Sequence, residues 1–219
     1  MDITTCEAYG GSNIGLYAAA GNDYLLVPSG FTPEKAGRLA GLLGVEWHAV
    51  SMCGTRLLGA MSVHTDSGML LPKTLMESEY DILKRIGEVH IIEARYTALG
   101  NLICANGHGA VVSPLFSEAE RRTIQDALGV EAVRLGIAGL GQSGALAATN
   151  GTGTIVHPLA DENDIRDISE VLGTRVEPST INNGVPFVTS GVLANDQAVL
   201  AGSLTTGPEI MMLTRAFMG

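Results

Sequence analysis

The chain has 219 residues, 46% of them apolar and 16% charged, with a mean hydropathy of +0.24; a chain this long buries about 70% of its unfolded surface, and disorder, which goes with few apolar residues and many charges, is excluded. Asp and Glu number 23 against 13 Lys and Arg, a net charge of −10, and the basic residues are scattered, Lys84-Arg85 and Arg121-Arg122 being the adjacent pairs. Binding to bare phosphate needs a clustered positive footprint, so the charge pattern argues against free nucleic acid and anionic lipid and for a basic protein partner.

In chain order, residues 2–9 come first, with Asp2 and Glu7 and no basic stretch that would mark a secretory signal. One unit then recurs. Short apolar strands run into Pro28, Pro72, Pro114 and Pro158, spaced 44, 42 and 44. A second landmark, a glycine closing a helical pattern, falls at Gly44, Gly87, Gly129 and Gly173, spaced 43, 42 and 44. Two landmarks sharing one period indicate a repeat architecture. Between them lie helices with start signals: Thr32 before Pro33, and capping boxes at Thr74/Glu77, Ser117/Glu120 and, more weakly, Asp161/Asp164. Leu39, Leu42 and Leu43, then Ile82, Leu83 and Ile86, then Ile124 and Leu128, then Ile165, Ile168, Val171 and Leu172 form the buried stripes. The acidic face of the fourth helix, Asp161 to Glu170, reads as solvated.

After each helix comes a strand (Val45 to Met52, Glu88 to Tyr96, Val130 to Ala138, Arg175 to Ile181), then a turn and a further strand such as Leu57 to Val63. Hairpin tips follow at Gly21-Asn22-Asp23, Asp66-Ser67-Gly68, Asn106-Gly107, Asn150-Gly151 and Asn195-Asp196, residues that tolerate positive φ. A fifth unit starts near Asn183 and has a helix from Pro208 but no strand after it. Residues 2–9 can supply that strand and remove the open edges. The expected fold is an α/β five-bladed propeller in one domain, with repeats at about 10–53, 54–97, 98–140, 141–182, and 183–219 plus 1–9.

Each chemical motif has a plainer reading. Gly139-Leu140-Gly141-Gln142-Ser143-Gly144 fits the dinucleotide pattern, but Ala145 to Thr149 falls where each repeat has its first hairpin strand, not the required helix. His157 takes the slot held elsewhere by Val27, Leu71 and Ser113, so it is architectural. His64 and Asp66 read as hairpin-tip residues, His48 and His90 as half-buried strand residues, and His108 as an exposed turn residue. Cys6, Cys53 and Cys104 contain no CxxC and make no disulfide set or zinc signature, and Cys104 on an apolar strand reads as packing. No stretch reads as a membrane span. No cofactor, metal or catalytic residue is expected, and the protein is expected in a reducing cytoplasm, where the sequon Asn150-Gly151-Thr152 has no meaning.

Gly68-Met69-Leu70-Leu71-Pro72, Ala98-Leu99-Gly100-Asn101, the run Gly153 to Pro158, Asn182-Asn183-Gly184 and Val192 to Asp196 resemble the archaeal and eukaryotic translation initiation factor 6 family, over essentially the whole chain. That resemblance implies the pentein ring. It also implies binding to the intersubunit side of the large ribosomal subunit, chiefly to a basic ribosomal protein near the sarcin–ricin loop, so that the small subunit cannot join. It implies contacts at Asn101 with Leu99 and Gly100, and at Arg95 and Arg56, by a protein acting as a monomer. Eukaryotic members carry a regulatory tail beyond the last helix, so a chain ending at Gly219 resembles the archaeal type. The same ring hosts guanidine-modifying hydrolases and transferases. Those resemble one another in a cysteine nucleophile near the C-terminus, whereas here the last cysteine is Cys104 and the last histidine His157.

Overall fold

The computed structural model describes residues 2–219. They form five sheets of three strands each. In the first four blades a short strand pairs antiparallel with a central strand, which pairs parallel with a third after a helical crossover. The central strands are Tyr24–Pro28, Gly68–Pro72, Gly109–Val112 and Gly153–Val156, all but wholly buried and so apolar throughout. In the fifth blade the third strand comes from the other end of the chain. Asp2–Cys6 pairs parallel with Ala198–Gly202, Asp2 opposite Ala198 and Cys6 opposite Gly202. The ring is therefore closed by the N-terminal strand, as the repeat arithmetic requires.

The crossover helices pack outside the sheets. Pro33–Leu43 buries Ala36, Leu39, Ala40 and Leu43 and ends at Gly44 with φ 70°. Glu118–Leu128 and Glu162–Leu172 end likewise at Gly129 and Gly173, where left-handed backbone suits glycine. The second blade departs from the pattern. Its helix, Glu77–Leu83, starts after Met76 and not after Thr74, whose hydroxyl instead bonds Cys53 Sγ at 3.3 Å. It runs out through turns at Lys84 to Ile86, so Gly87 is not its cap.

A second departure recurs in every blade. The segment before the first strand is a single helical turn: Ile14–Tyr17, Leu58–Met61, Leu99–Asn101, Ser143–Leu146 and Val188–Gly191. The expected strand Leu57 to Val63 is thus a turn of helix followed by Val63–Thr65, and Ala145 to Thr149 is the end of one such turn followed by the strand Ala147–Thr149. Four residues are too few to show a helical period, and these turns are held by tertiary contacts.

Hairpin asparagines join the blades. Asn106 Oδ1 accepts the amides of His108 and Gly109, while its Nδ2 donates to Asn150 O and to Leu172 O at the end of the next helix. Asn195 repeats this with Gln197, Ala198 and Leu43 O. Thr65 reaches Leu128 O, Thr152 reaches Phe217 O, and Asn150 reaches Asn195 O. These asparagines are chosen for side-chain caps on their turns and not for positive φ, which Gly68 alone has among the five tips. Asn150 is buried, so its sequon is closed to modification. At the first seam the clip is Tyr24 Oη to His64 Nδ1, 2.8 Å, with His64 Nε2 to Ser62 Oγ at 2.7 Å. His64 therefore lies in a strand, not at a tip. Ser62 spends its one proton on Leu58 O, so Nε2–H donates to Ser62 and Tyr24 O–H donates to Nδ1. Burial pulls the imidazole down to about 4, so it stays neutral.

Candidate interaction face at one end of the ring

The third strand of each blade is parallel to its central strand, so both end on the same side of the ring. That side carries the loops into the helices and the five helical turns, and the hairpin tips lie opposite. Eight of the twelve exposed large apolar side chains belong to the first end: Tyr9, Leu57, Met76, Leu115, Leu140, Leu159, Phe187 and Leu204. Leu159 is 76% exposed and Leu204 62%. Burying such residues on folding would be favourable at roughly 25 cal/mol per Å², so their concentration at one end makes that end the candidate contact surface.

Two devices fix the loops of this end. Carboxylates at the third helical position hold the turns between blades. Glu79 accepts the amides of Cys53, Gly54 and Met76, and Asp164 those of Ala138 and Asp161. Glu209 accepts those of Asn183, Gly184 and Thr206 and the Thr180 hydroxyl, at 2.7 to 3.0 Å. The turns they hold are left-handed at Cys53, Ala138, Asn182 and Asn183, where a non-glycine backbone needs such support.

The second device is the ring of helical turns round the axis. A Cβ on Gly59 would collide with Gly15 O, one on Gly100 with Gly59 O, one on Gly144 with Gly100 O, and one on Gly15 with Thr189 O. Each turn therefore stands against the backbone of its predecessor. The fifth member is not glycine: Thr189 directs its hydroxyl to Gly144 O and Ala147 O, at 2.6 and 2.8 Å. The circle is continuous. Outside it lies an axial cavity of about 440 Å³, lined by Leu16, Ala60, Ala145, Val185 and Phe187 with Asn13, Asn101 and Gln142. Beyond it lies a second cavity of about 130 Å³, lined by small residues such as Ala19, Ala105, Ala148 and Ala194.

The five residues singled out by resemblance fall into three situations. Asn101 is half-buried at the end of its helical turn and lines the axial cavity. Gly100 is one of the circle's close approaches, with no positive φ, and Leu99 is 0% exposed. These two support Asn101 from beneath and present no side chain to a partner. Arg56 and Arg95 are exposed, stacked over Tyr9 and Tyr96 at 5.9 and 5.7 Å. Sequence reasoning missed Leu16, Ala60, Ala145 and Ser190, the equivalents of Asn101 in the other helical turns, because it aligned the repeats on prolines and capping glycines alone. Gln142 was met only as part of a glycine-rich turn; its side chain is exposed at the socket wall.

The titratable groups elsewhere are structural. Cys104 is buried, which pushes its thiol up to about 12, and Cys6 is pushed to about 11 by burial, against the pull of Arg38. Neither is poised as a nucleophile. His157, 6% exposed, is held below the ordinary imidazole range by burial and accepts the Leu159 amide at 3.2 Å. Among the described residues no group of three His, Cys, Asp or Glu is placed to hold a metal, and no helix is long and apolar enough to cross a membrane.

The chain is similar to proteins named translation initiation factor 6. That of Nitrosopumilus maritimus is 55% identical over 220 residues, and that of Cenarchaeum symbiosum 54% over 221, each covering 100% of both chains. The Saccharolobus solfataricus protein is 39% identical and covers 99% of each. A solved structure of Pseudomonas aeruginosa DDAH with citrulline matches 99% of this chain and 94% of its own at a TM-score of 0.49 and 12% identity. The model of the eIF-6 family matches residues 3–216. The chain is a member of the eIF-6 family.

Proposed function

We propose that this protein is a translation initiation factor that binds the large ribosomal subunit through the loop end of its ring and thereby keeps the small subunit from joining. The observation that carries the reading is the gathering of exposed apolar side chains, Asn101, Arg56 and Arg95 on that one end. The partner in this reading is the one that the resemblance to the family implies. Its chief contact is a basic ribosomal protein near the sarcin–ricin loop, complementary to a chain of net charge −10.

The mechanism is steric. A chain of 219 residues has a radius of gyration of about 17 Å, hence a body roughly 45 Å across. Such a body on the intersubunit face excludes the other subunit by volume, with no catalysis, nucleotide or cofactor. Inhibition then follows occupancy: at a free concentration of 100 Kd the block costs subunit joining about 2.7 kcal/mol. The guanidine-modifying alternative would need a nucleophile at the axis, where the only cysteine, Cys104, is buried with its thiol pushed to about 12.

The test is co-sedimentation of the protein with purified large and small subunits, with Asn101→Glu alongside. Wild type is expected with large subunits only, more weakly as salt rises, and the variant is expected to lose binding at an unchanged melting temperature. Equal pelleting with both subunits, or none with either, refutes the reading. Binding lost while the block on joining persists refutes the steric mechanism.

A further inference from the structure

Four of the five loops between blades are held by a carboxylate at the third position of the helix that follows, and the first is not. Glu79, Asp164 and Glu209 accept amides of the preceding left-handed turn and of the residue that starts their helix. Glu120 is held below the ordinary carboxylate range by the backbone and hydroxyl of Ser117 and the backbone of Arg95. In the first blade the third helical position is Lys35. Everything else there is in place. Ala8 and Gly11 exchange backbone bonds as Met52 and Thr55 do, and the turn between them is left-handed at Tyr9 and Gly10, with φ 53° and 73°. The amides of Tyr9, Gly10 and Thr32 match those of Cys53, Gly54 and Met76, which converge on Glu79, yet they find no acceptor among the described residues. The Thr32 hydroxyl makes no capping bond, whereas those of Ser117 and Thr206 donate to their carboxylates. Glu7 accepts from Ser203, and Glu34 makes no hydrogen bond or ion pair with a described residue, so neither neighbouring acid fills the place.

We propose that the first blade binds a carboxylate from another molecule at the amides of Tyr9, Gly10 and Thr32, in the place that Glu79, Asp164 and Glu209 fill in their own blades. The occupied turns name the ligand: wherever the chain supplies a carboxylate, the equivalent donors hold it. None of the three donors belongs to the helix Pro33–Leu43 itself. Such a donor set favours the anion strongly, since at Glu209 it outweighs burial and brings the carboxyl to about 2. The charges agree. Lys35 puts a cation where the other helices put an acid, and Arg56, stacked over Tyr9 at 5.9 Å, has no carboxylate partner among the described residues. The site lies off the axial cavity, whose lining includes none of these residues, and it stands apart from the ribosomal reading. A small free carboxylate and an acidic side chain of a protein bring the same group.

The test follows the backbone amides by NMR while sodium acetate replaces sodium chloride at constant ionic strength, in wild type and in Lys35→Glu. In wild type the Tyr9, Gly10 and Thr32 amide protons are expected to move downfield together along one saturable curve, while those of Cys53, Gly54 and Met76, already bonded, stay still. In Lys35→Glu the three are expected downfield from the start and unmoved by acetate, with a higher melting temperature, because the chain then supplies the missing carboxylate. Lys35 is exposed, so the substitution spares the core, and the wild-type titration decides without it. Amides that stay still in wild type, or that move as far in Lys35→Glu, overturn the proposal and leave the ribosomal reading untouched. A blocked Gly-Glu-Gly peptide separates the sources: binding about tenfold tighter than acetate assigns an acidic side chain of a protein, and equal affinity assigns a free carboxylate.

Discussion

Glu209 offers the sharpest test of how the loop end is held. Burial alone would push its carboxyl up, but the amides of Thr206, Gly184 and Asn183 and the Thr180 hydroxyl outweigh that and bring it from 4.5 down to about 2. A carboxyl depressed by folding stabilises the protein above its unfolded value, and that stability is lost as pH falls from 4.5 toward 2. A fall from 4.5 to about 2, at about 1.4 kcal/mol per pH unit, gives roughly 3 kcal/mol at neutral pH, shrinking to about half of that near pH 3. Glu209→Gln keeps the shape and loses the charge. Urea unfolding of wild type and variant at pH 7, 5, 4 and 3 should show a difference of this order that narrows only below about pH 5. Subtracting one protein from the other cancels the remaining carboxylates. A difference independent of pH, or one under about 1 kcal/mol at pH 7, would refute the argument that the carboxylate holds the turn through its charge.

Other outcomes follow from the same geometry. Gly144→Ala drives a methyl into Gly100 O and the backbone of Ile103 and should cost about 2 kcal/mol or more, whereas Gly139→Ala, with open space around it but φ 73°, should cost about 1 kcal/mol; equal costs by denaturant titration would count against the packed circle. Deleting residues 2–6 strips the partner of Ala198–Gly202 and should give aggregation or loss of cooperative unfolding, so an unchanged melting curve would contradict closure of the ring. The His64 imidazole should hold one neutral tautomer, protonated at Nε2, down to about pH 4, and an ordinary titration near 6.5 by NMR would show that the buried clip to Tyr24 is not formed.

The ring was legible because two of its devices leave single-residue marks. A strand that must stop at a fixed point recruits proline, and a helix that must reverse recruits glycine, so both repeat with the unit. Ser117/Glu120 and Asp161/Asp164 were legible for the same reason, as local hydrogen bonds between neighbours in sequence. Thr74/Glu77 misled because Glu79, two residues on, serves a turn twenty-five residues away. The helical turns at the axis were illegible for a related reason. Each is specified by the backbone of a different repeat, through a glycine whose local conformation is ordinary. Asn101 could be found only by resemblance, because its socket is assembled from all five repeats and no one of them contains it.

Every joint between blades sends a side chain of one blade into the backbone or a side chain of the next: Tyr24 to His64, Thr65 to Leu128, Asn106 to Leu172, Thr152 to Phe217 and Asn195 to Leu43. Repeats stacked in a line have end members with one neighbour only, and those fray first. Here the sequence of clips returns to its start, so each blade has two neighbours and none is an end. Opening one blade breaks the clip it gives and the clip it receives, which loosens both neighbours in turn. Slow amide exchange should therefore spread evenly over the five central strands, with one shared opening energy, and a face assembled from five separate loops is presented whole or not at all.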